Sequence, residues 1–381
     1  SLGWVGNRRV VTKVKGVCGG GAGNQETTYE YDRKLNVKKK TDAAGRQMIY
    51  TYDGGGNILS VNDKIGATDL GTETFTYNSF GQVLTRTDKM GGVWTNTYDA
   101  GGNLKTVKDP LNYVTTIEYP TANNKGLTDS VKDARNHVTK FKWNSAGLLE
   151  EVEDPYQKKT TYTYDARGRI KTVTDALNHV TTYNYFDDAQ RKVEMIYPNG
   201  DKITYKYDVR RLLESLTDER GKITSYEFDA ARRLKKIIDR LLHTKEFDYD
   251  LMSNLKWAKD ALGNQTDYKY DDFDRLKEIE YPPAATGAAR LKETFEYDQI
   301  GRIKKHYDTA NRLTEYAYTD AARTNTVTNA EMETTTLKYN ARNQLIEVKD
   351  ALNQVYAFTY NPMNRPLTQT RAGSTMSYEY D

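Results

Sequence analysis

The sequence predicts an all-β protein: repetitive antiparallel β-hairpins of about 21 residues each, forming one continuous spiralling sheet that is shell-, tube- or strip-like. Three observations predict it. An aromatic-x-aromatic-Asp element recurs along the 381 residues, and the position after its last aromatic falls at Asp32, Asp53, Asn78, Asp99, Pro120, Asn144, Asp165, Phe186, Asp208, Asp229, Asp250, Asp271, Asp298, Thr319, Asn340, Asn361 and Asp381. Most intervals are 21 residues, and three are lengthened to 25, 24 and 27. Second, 31 of the 43 aromatic residues sit one or three places before these marks, in a chain that is only 11% aromatic. Third, turn-forming residues follow each mark, as in "TTYTYDARGRIKTVTDALNHVTTYNY" at 160–185.

Within one unit the elements follow in order. The two aromatics lie two residues apart, so in a strand they share a face. Thr, Tyr and Phe around them favour strands. The D-x-x-G-R that comes next is a turn, with Asp capping its own backbone and Gly taking the positive φ. A second strand carries apolar residues five and eight places after the mark, such as Ile170 and Val173, or Leu234 and Ile237. A spacing of three does not keep one face in a flat strand, so either both faces are partly buried or a bulge re-aims one residue. An Asp then closes the strand (Asp42, Asp63, Asp109, Asp175, Asp218, Asp260, Asp350) before a second turn. A lone hairpin is at best marginally stable, so each unit needs a near-copy beside it. The whole of 1–381 reads as one array: a degenerate first unit, 1–31, with a Gly-rich insert, and sixteen regular units over 32–381.

The bulk numbers narrow the function. The chain is 37% hydrophobic and 29% charged, yet its aromatic content is foreign to disordered chains. A net charge of +3 is too balanced for a nucleic-acid footprint. No apolar run approaches the ~18 residues of a transmembrane helix. The start, "SLGWVGNRRVV", lacks the apolar core of a signal peptide and reads as a chain entered midway.

Residues that could carry chemistry have plainer roles. Asp recurs at nearly every mark, whereas a catalytic pair is one local asymmetry, so turn capping is expected for Asp165, Asp175 and their equivalents. The histidines His137, His179, His243 and His306 are expected to be solvated turn residues, too far apart to converge on a metal. "GGGAG" at 19–23 lacks the Lys-Ser/Thr and helix of a phosphate loop, and Cys18 beside it has no His partner. Catalytic, cofactor and metal sites are therefore all expected to be absent. Tyr164, Tyr185 and Tyr207 are expected to be buried between neighbouring hairpins. The irregular places are the better candidates for recognition: the insertions "KIGATDLG" at 64–71, "PTANNKG" at 120–126 and "PPAATGAAR" at 282–290.

Units such as "YDARGRIKTVTDALNHVTTYNY" and "YDVRRLLESLTDERGKITSYEFD" resemble the RHS/YD repeats, over about 25–381. The resemblance implies a long antiparallel sheet that spirals. In bacterial toxin complexes such sheets form hollow shells around a toxic polypeptide, and in teneurins a barrel serving adhesion. The D-P-x-G-like segment that ends closed bacterial shells is not matched here, so self-cleavage and cargo release are not carried over. The expected role is the wall of an extracellular or cell-surface shell or scaffold, with a polypeptide cargo implied by the resemblance and no enzymatic activity. The alternatives are a filament- or tube-forming protein and a surface adhesin that binds glycans through the inserted loops. The final strand, 375–381, has no Pro or cover to blunt its edge. Both ends are expected to pair with further strands, of a longer chain or of a neighbouring copy, so that 377–380 is paired on both sides.

Overall fold

The computed structural model describes residues 2–6, 8–15, 26–119, 126–186 and 191–380. Cys18, the Gly-rich stretch 19–23, residues 120–125 of the second insertion and the last mark at Asp381 lie outside the described residues.

The described residues are all-β apart from one 3-10 turn at Asp320–Ala322. Thirty-four strands, from Lys13–Lys15 to Ser374–Ser377, pair in chain order into one continuous antiparallel sheet. Among the described residues no pairing joins its last strand to its first, so the sheet keeps two edges. A separate hairpin pairs Leu2–Val5 with Arg8–Val11. Within the chain Ser374–Ser377 pairs on one side only, with Pro366–Arg371. The chain forms two compact units: Ser1–Thr97 with Val107–Tyr113 and Tyr268–Asp381, and Tyr98–Thr106 with Val114–Asp267.

One unit shows why this sequence folds this way. Strand Lys159–Tyr164 ends at Asp165, whose Oδ1 accepts the N–H groups of Arg167 and Arg169 at 2.9 and 3.0 Å. Gly168 takes φ 76°, which closes the turn at little steric cost. Strand Ile170–Thr174 then runs back to Asp175, whose Oδ1 accepts the N–H groups of Leu177 and His179 at 2.8 and 2.9 Å. Asn178 holds φ 65° there. Both rims of the sheet thus use one Asp-capped turn.

The spacing of five and eight is explained by a bulge. Tyr162 faces Val173 and Tyr164 faces Ile170, with a register shift between Thr163 and Tyr164 that leaves Lys171 as the extra residue. The same shift precedes Tyr31, Tyr52, Trp143, Phe228, Tyr249, Tyr297 and Tyr360. In units such as this one, two aromatics and two aliphatics therefore share one face. The opposite face is polar, with hydroxyl pairs such as Thr163–Thr172 at 2.6 Å and ion pairs such as Lys206–Glu214 at 2.8 Å.

Burial departs from expectation. Tyr164, Tyr185 and Tyr207 are half-buried, not buried. Among the described residues Leu70, at 4% exposure, is the one buried apolar side chain. The reason is layering: strands pack against their sheet neighbours, and those cover only part of each ring, where a two-layer domain would cover it all.

Candidate functional site

The aromatic face is joined from unit to unit by a relay of side chains. In the unit that begins at Asp229, Arg233 Nε donates to the Asp229 Oδ2 at 2.7 Å. Its guanidinium lies 4.7 Å over the ring of Tyr249, the last aromatic before the next mark, and Nη1 donates to the carbonyl of Asp250 at 3.0 Å. The Tyr249 hydroxyl donates to the carbonyl of Leu234 at 2.8 Å. Leu234 sits five places after Asp229, where the bulge begins, and bulged strands leave ladder groups unpaired. The ring thus reaches back to the adjacent strand, Leu234–Ile238, which belongs to the preceding hairpin. Tyr52, Tyr77, Tyr164, Tyr297, Tyr318 and Tyr360 do the same to Val37, Ile58, Leu149, Leu276, Ile303 and Leu345. Arginines likewise cover Tyr185, Tyr297 and Tyr318. Where the fourth residue after the mark is Asn, as at Asn57 and Asn254, it still bonds its own Asp but brings no guanidinium to the next unit.

The electrostatics follow from this geometry. Burial pushes the phenols of Tyr164, Tyr249, Tyr297 and Tyr318 above their ordinary value. The Asp165 carboxyl is held low, chiefly by the Arg169 backbone N–H, against burial and with help from the Arg169 side chain.

A second cluster breaks the repeat, in the unit that holds both the early and the late repeats. Asp63 has the phase of a turn Asp, but it does not close a turn. The insertion at 64–71 is not an open loop: it lengthens the flanking strands to Ile58–Ile65 and Thr68–Tyr77 and moves the turn beyond Asp63. Left inside a strand at 0% exposure, its carboxylate needs cations. It takes Arg46 Nε at 2.7 Å, Arg46 Nη2 at 2.5 Å and Lys89 Nζ at 2.5 Å. Burial alone would raise this carboxyl, but the bonds from Arg46 and Lys89 hold it below its ordinary value. Nearby, Asp88 accepts Arg342 Nε at 2.7 Å and Nη2 at 2.6 Å, and Arg323 donates to the carbonyl of Leu70.

Two cavities lie beside this cluster. One, of about 350 Å³, is lined by Arg46, Leu70, Arg302, Tyr318, Asp320 and Arg323, among others. Its cations are engaged: Arg46 with Asp63, Arg302 with Asp298 and Asp320, Arg323 with Leu70. The other, of about 380 Å³, lies between repeat turns and includes Met90, Val93, Lys108, Asp109, Arg342 and Tyr360.

His137, His179 and His243 are exposed turn residues as expected, with Nδ1 3.1, 3.0 and 3.1 Å from the Oδ2 of Asp133, Asp175 and Asp239. His306 is not at a turn. It lies in strand Ile303–Tyr307, half-buried, stacked 4.8 Å from Phe295 and 3.2 Å from Glu293, because a flat ring fills the aliphatic slot eight after the mark. No group of three or more metal-ligating side chains occurs among the described residues. The third insertion is an exposed loop over 283–289, tied at its base by Arg290 to the carbonyls of Tyr281 and Glu280 at 2.8 and 2.7 Å. Arg46, Lys89, Arg323 and Arg342 carry the second cluster, and no motif singled them out. The available signal was the insertion beside Asp63, which moves a turn Asp off its turn.

A family model described as RHS Repeat matches residues 77–116, 143–178, 164–202 and 339–376. No curated protein matches. Among solved structures, the chain is similar to one described as the crystal structure of TcdB2-TccC3-TEV, at 11% identity and a TM-score of 0.57, over 90% of this chain and 23% of that one. It also aligns with a Tc holotoxin pore of Photorhabdus luminescens at 13% identity and a TM-score of 0.30, over 94% of this chain and 26% of that one. The chain thus spans about a quarter of the length of these solved chains.

Proposed function

We propose, from the premise that this chain is an RHS-repeat protein, that its role is structural: it supplies wall to a shell or scaffold whose aromatic face meets a polypeptide cargo. The observation that carries the reading is the relay itself. The Tyr–carbonyl bonds repeat along the array, with arginine over the ring at Tyr249, Tyr297 and Tyr318, and keep a face of half-buried rings in one register. Such a face offers many weak apolar contacts and no single pocket, which suits an extended, incompletely folded chain better than a small substrate. The capped Asp residues are turn residues in this reading, and the protein acts without catalytic, cofactor or metal groups. Secretion or display at the cell surface accompanies the role.

The test is co-expression of the array with an unfolded polypeptide fused after its last repeat, followed by protease challenge and electron microscopy. A wall-forming array keeps the fused segment intact and images as a curved particle. Immediate digestion of that segment at the rate of the free peptide would overturn the cargo reading. A second reading, recognition of glycans or of another cell, is favoured by the exposed loop at 283–289, which leaves seven consecutive exposed residues at one rim. Binding to a glycan array that disappears when the loop is cut back to a four-residue turn would favour it.

A further inference from the structure

We infer that the long hairpin formed by Ile58–Ile65 and Thr68–Tyr77 is a clasp, which fastens the early repeats to the late repeats by side-chain contact alone. Ordinary strands of this array have five or six residues, whereas these have eight and ten. The extra length comes from the insertion at 64–71, and the hairpin carries the two most buried side chains among the described residues, Asp63 at 0% and Leu70 at 4% exposure.

The contacts at this place differ in kind from those elsewhere. Strands of the sheet touch their neighbours in sequence. Here the guanidinium of Arg323, just after the 3-10 turn Asp320–Ala322, donates to the carbonyl of Leu70, 253 residues away. Arg342 grips Asp88 with two nitrogens across 254 residues, and both side chains are nearly buried, at 12% and 6% exposure. Asp88 keeps its turn at the same time, since its Oδ1 accepts the N–H groups of Met90 and Gly92. On the early side, Arg46 and Lys89 converge on Asp63 and brace the base of the long hairpin. No strand pairing crosses the junction among the described residues. The clasp is therefore separable from the ladder, and opening it costs the ion pair and the burial of Leu70 but no strand hydrogen bond. A bidentate buried pair suits such a latch, because losing one partner strands the other charge and makes the contact all-or-none.

The inference rests on this geometry and stands apart from the cargo reading. It is tested by hydrogen exchange on the full chain, comparing the wild type with Arg323→Gln, Arg342→Gln and Asp88→Asn. Asparagine at 88 keeps the turn cap and loses only the charge. Asp175→Asn is the control, an equivalent turn Asp whose carboxylate meets only its own turn and His179. The expected result is exchange faster by roughly tenfold in peptides covering 64–71 and 320–323 together, with 159–249 unchanged and Asp175→Asn silent. Unchanged exchange on either side of the junction would overturn the clasp. So would a rise that spreads into 159–249, which would mark general loss of folding. If a glutamine variant does not fold, Arg342→Lys decides by the same criteria, since it keeps the charge and loses the two-nitrogen grip.

Discussion

Leu242 sits at φ 68° and is 82% exposed, so its backbone bears a left-handed conformation that its side chain does nothing to repay. Gly168 holds φ 76° at the equivalent place of the other turn. The two positions predict opposite outcomes. Leu242→Gly removes a steric cost and is expected to stabilise by about 0.5–1 kcal/mol after the added freedom of the unfolded chain is counted. Gly168→Ala is expected to destabilise by about 1 kcal/mol. Urea midpoints of the two variants check the signs. Asp175 caps its turn through Oδ1, an atom that asparagine also has, and its Oδ2 meets only the exposed His179, so Asp175→Asn is expected to leave the melting temperature nearly unchanged.

The hairpin is held to its neighbour by atoms that the ladder does not use. Tyr249→Phe removes the donor to the Leu234 carbonyl while keeping the ring under Arg233, and is expected to cost about 1 kcal/mol. Because repeat arrays couple mainly to nearest neighbours, the loss is expected to show as faster exchange in the two flanking hairpins and not in distant ones. The phenols also give the array a pH limit. Their folded pKa values are raised by burial, so the protonated form is the one the fold prefers. That contribution is fully present below the unfolded value, near pH 10, and is lost as pH rises through the folded values. Thermal melts are expected to hold steady to about pH 10 and to fall above it, with the tyrosinate absorbance rising in step.

Asp63 ties the first hairpins to the clasp, and its removal reaches further than any turn Asp. Asp63→Asn leaves Lys89 and Arg46 facing a neutral group in a buried place, with an expected cost of roughly 3 kcal/mol, reduced to the extent that the half-exposed Arg46 turns to water. Its pH dependence runs the other way from that of the phenols. The carboxyl is held below its ordinary value, so its stabilisation is present above the unfolded value and is lost as pH falls through the folded one. Exchange at 64–71 is expected to stay slow at neutral pH and to rise only below about pH 4. Faster exchange already at pH 6 would show that another group controls the junction.

The sequence by itself determined the hairpin, its period, both turns and the family resemblance, because each depends on contacts within about 21 residues that every unit repeats. Tyr164, Asp165, Gly168 and Ile170 could be placed from phase alone. It left the bulge undecided: a spacing of five and eight is compatible with two backbones, and only the register of Tyr162 with Val173 and Tyr164 with Ile170 selects one. It overestimated burial, since periodicity shows which side chains share a face but not whether a second layer covers that face. It misplaced Asp63 and His306, which have the types expected of turn residues but lie within strands. The joining of Asp88 to Arg342 and of Leu70 to Arg323 was decided by tertiary structure alone. Residues 253 and 254 apart meet only through the accumulated geometry of the strands between them, and no local pattern encodes that sum.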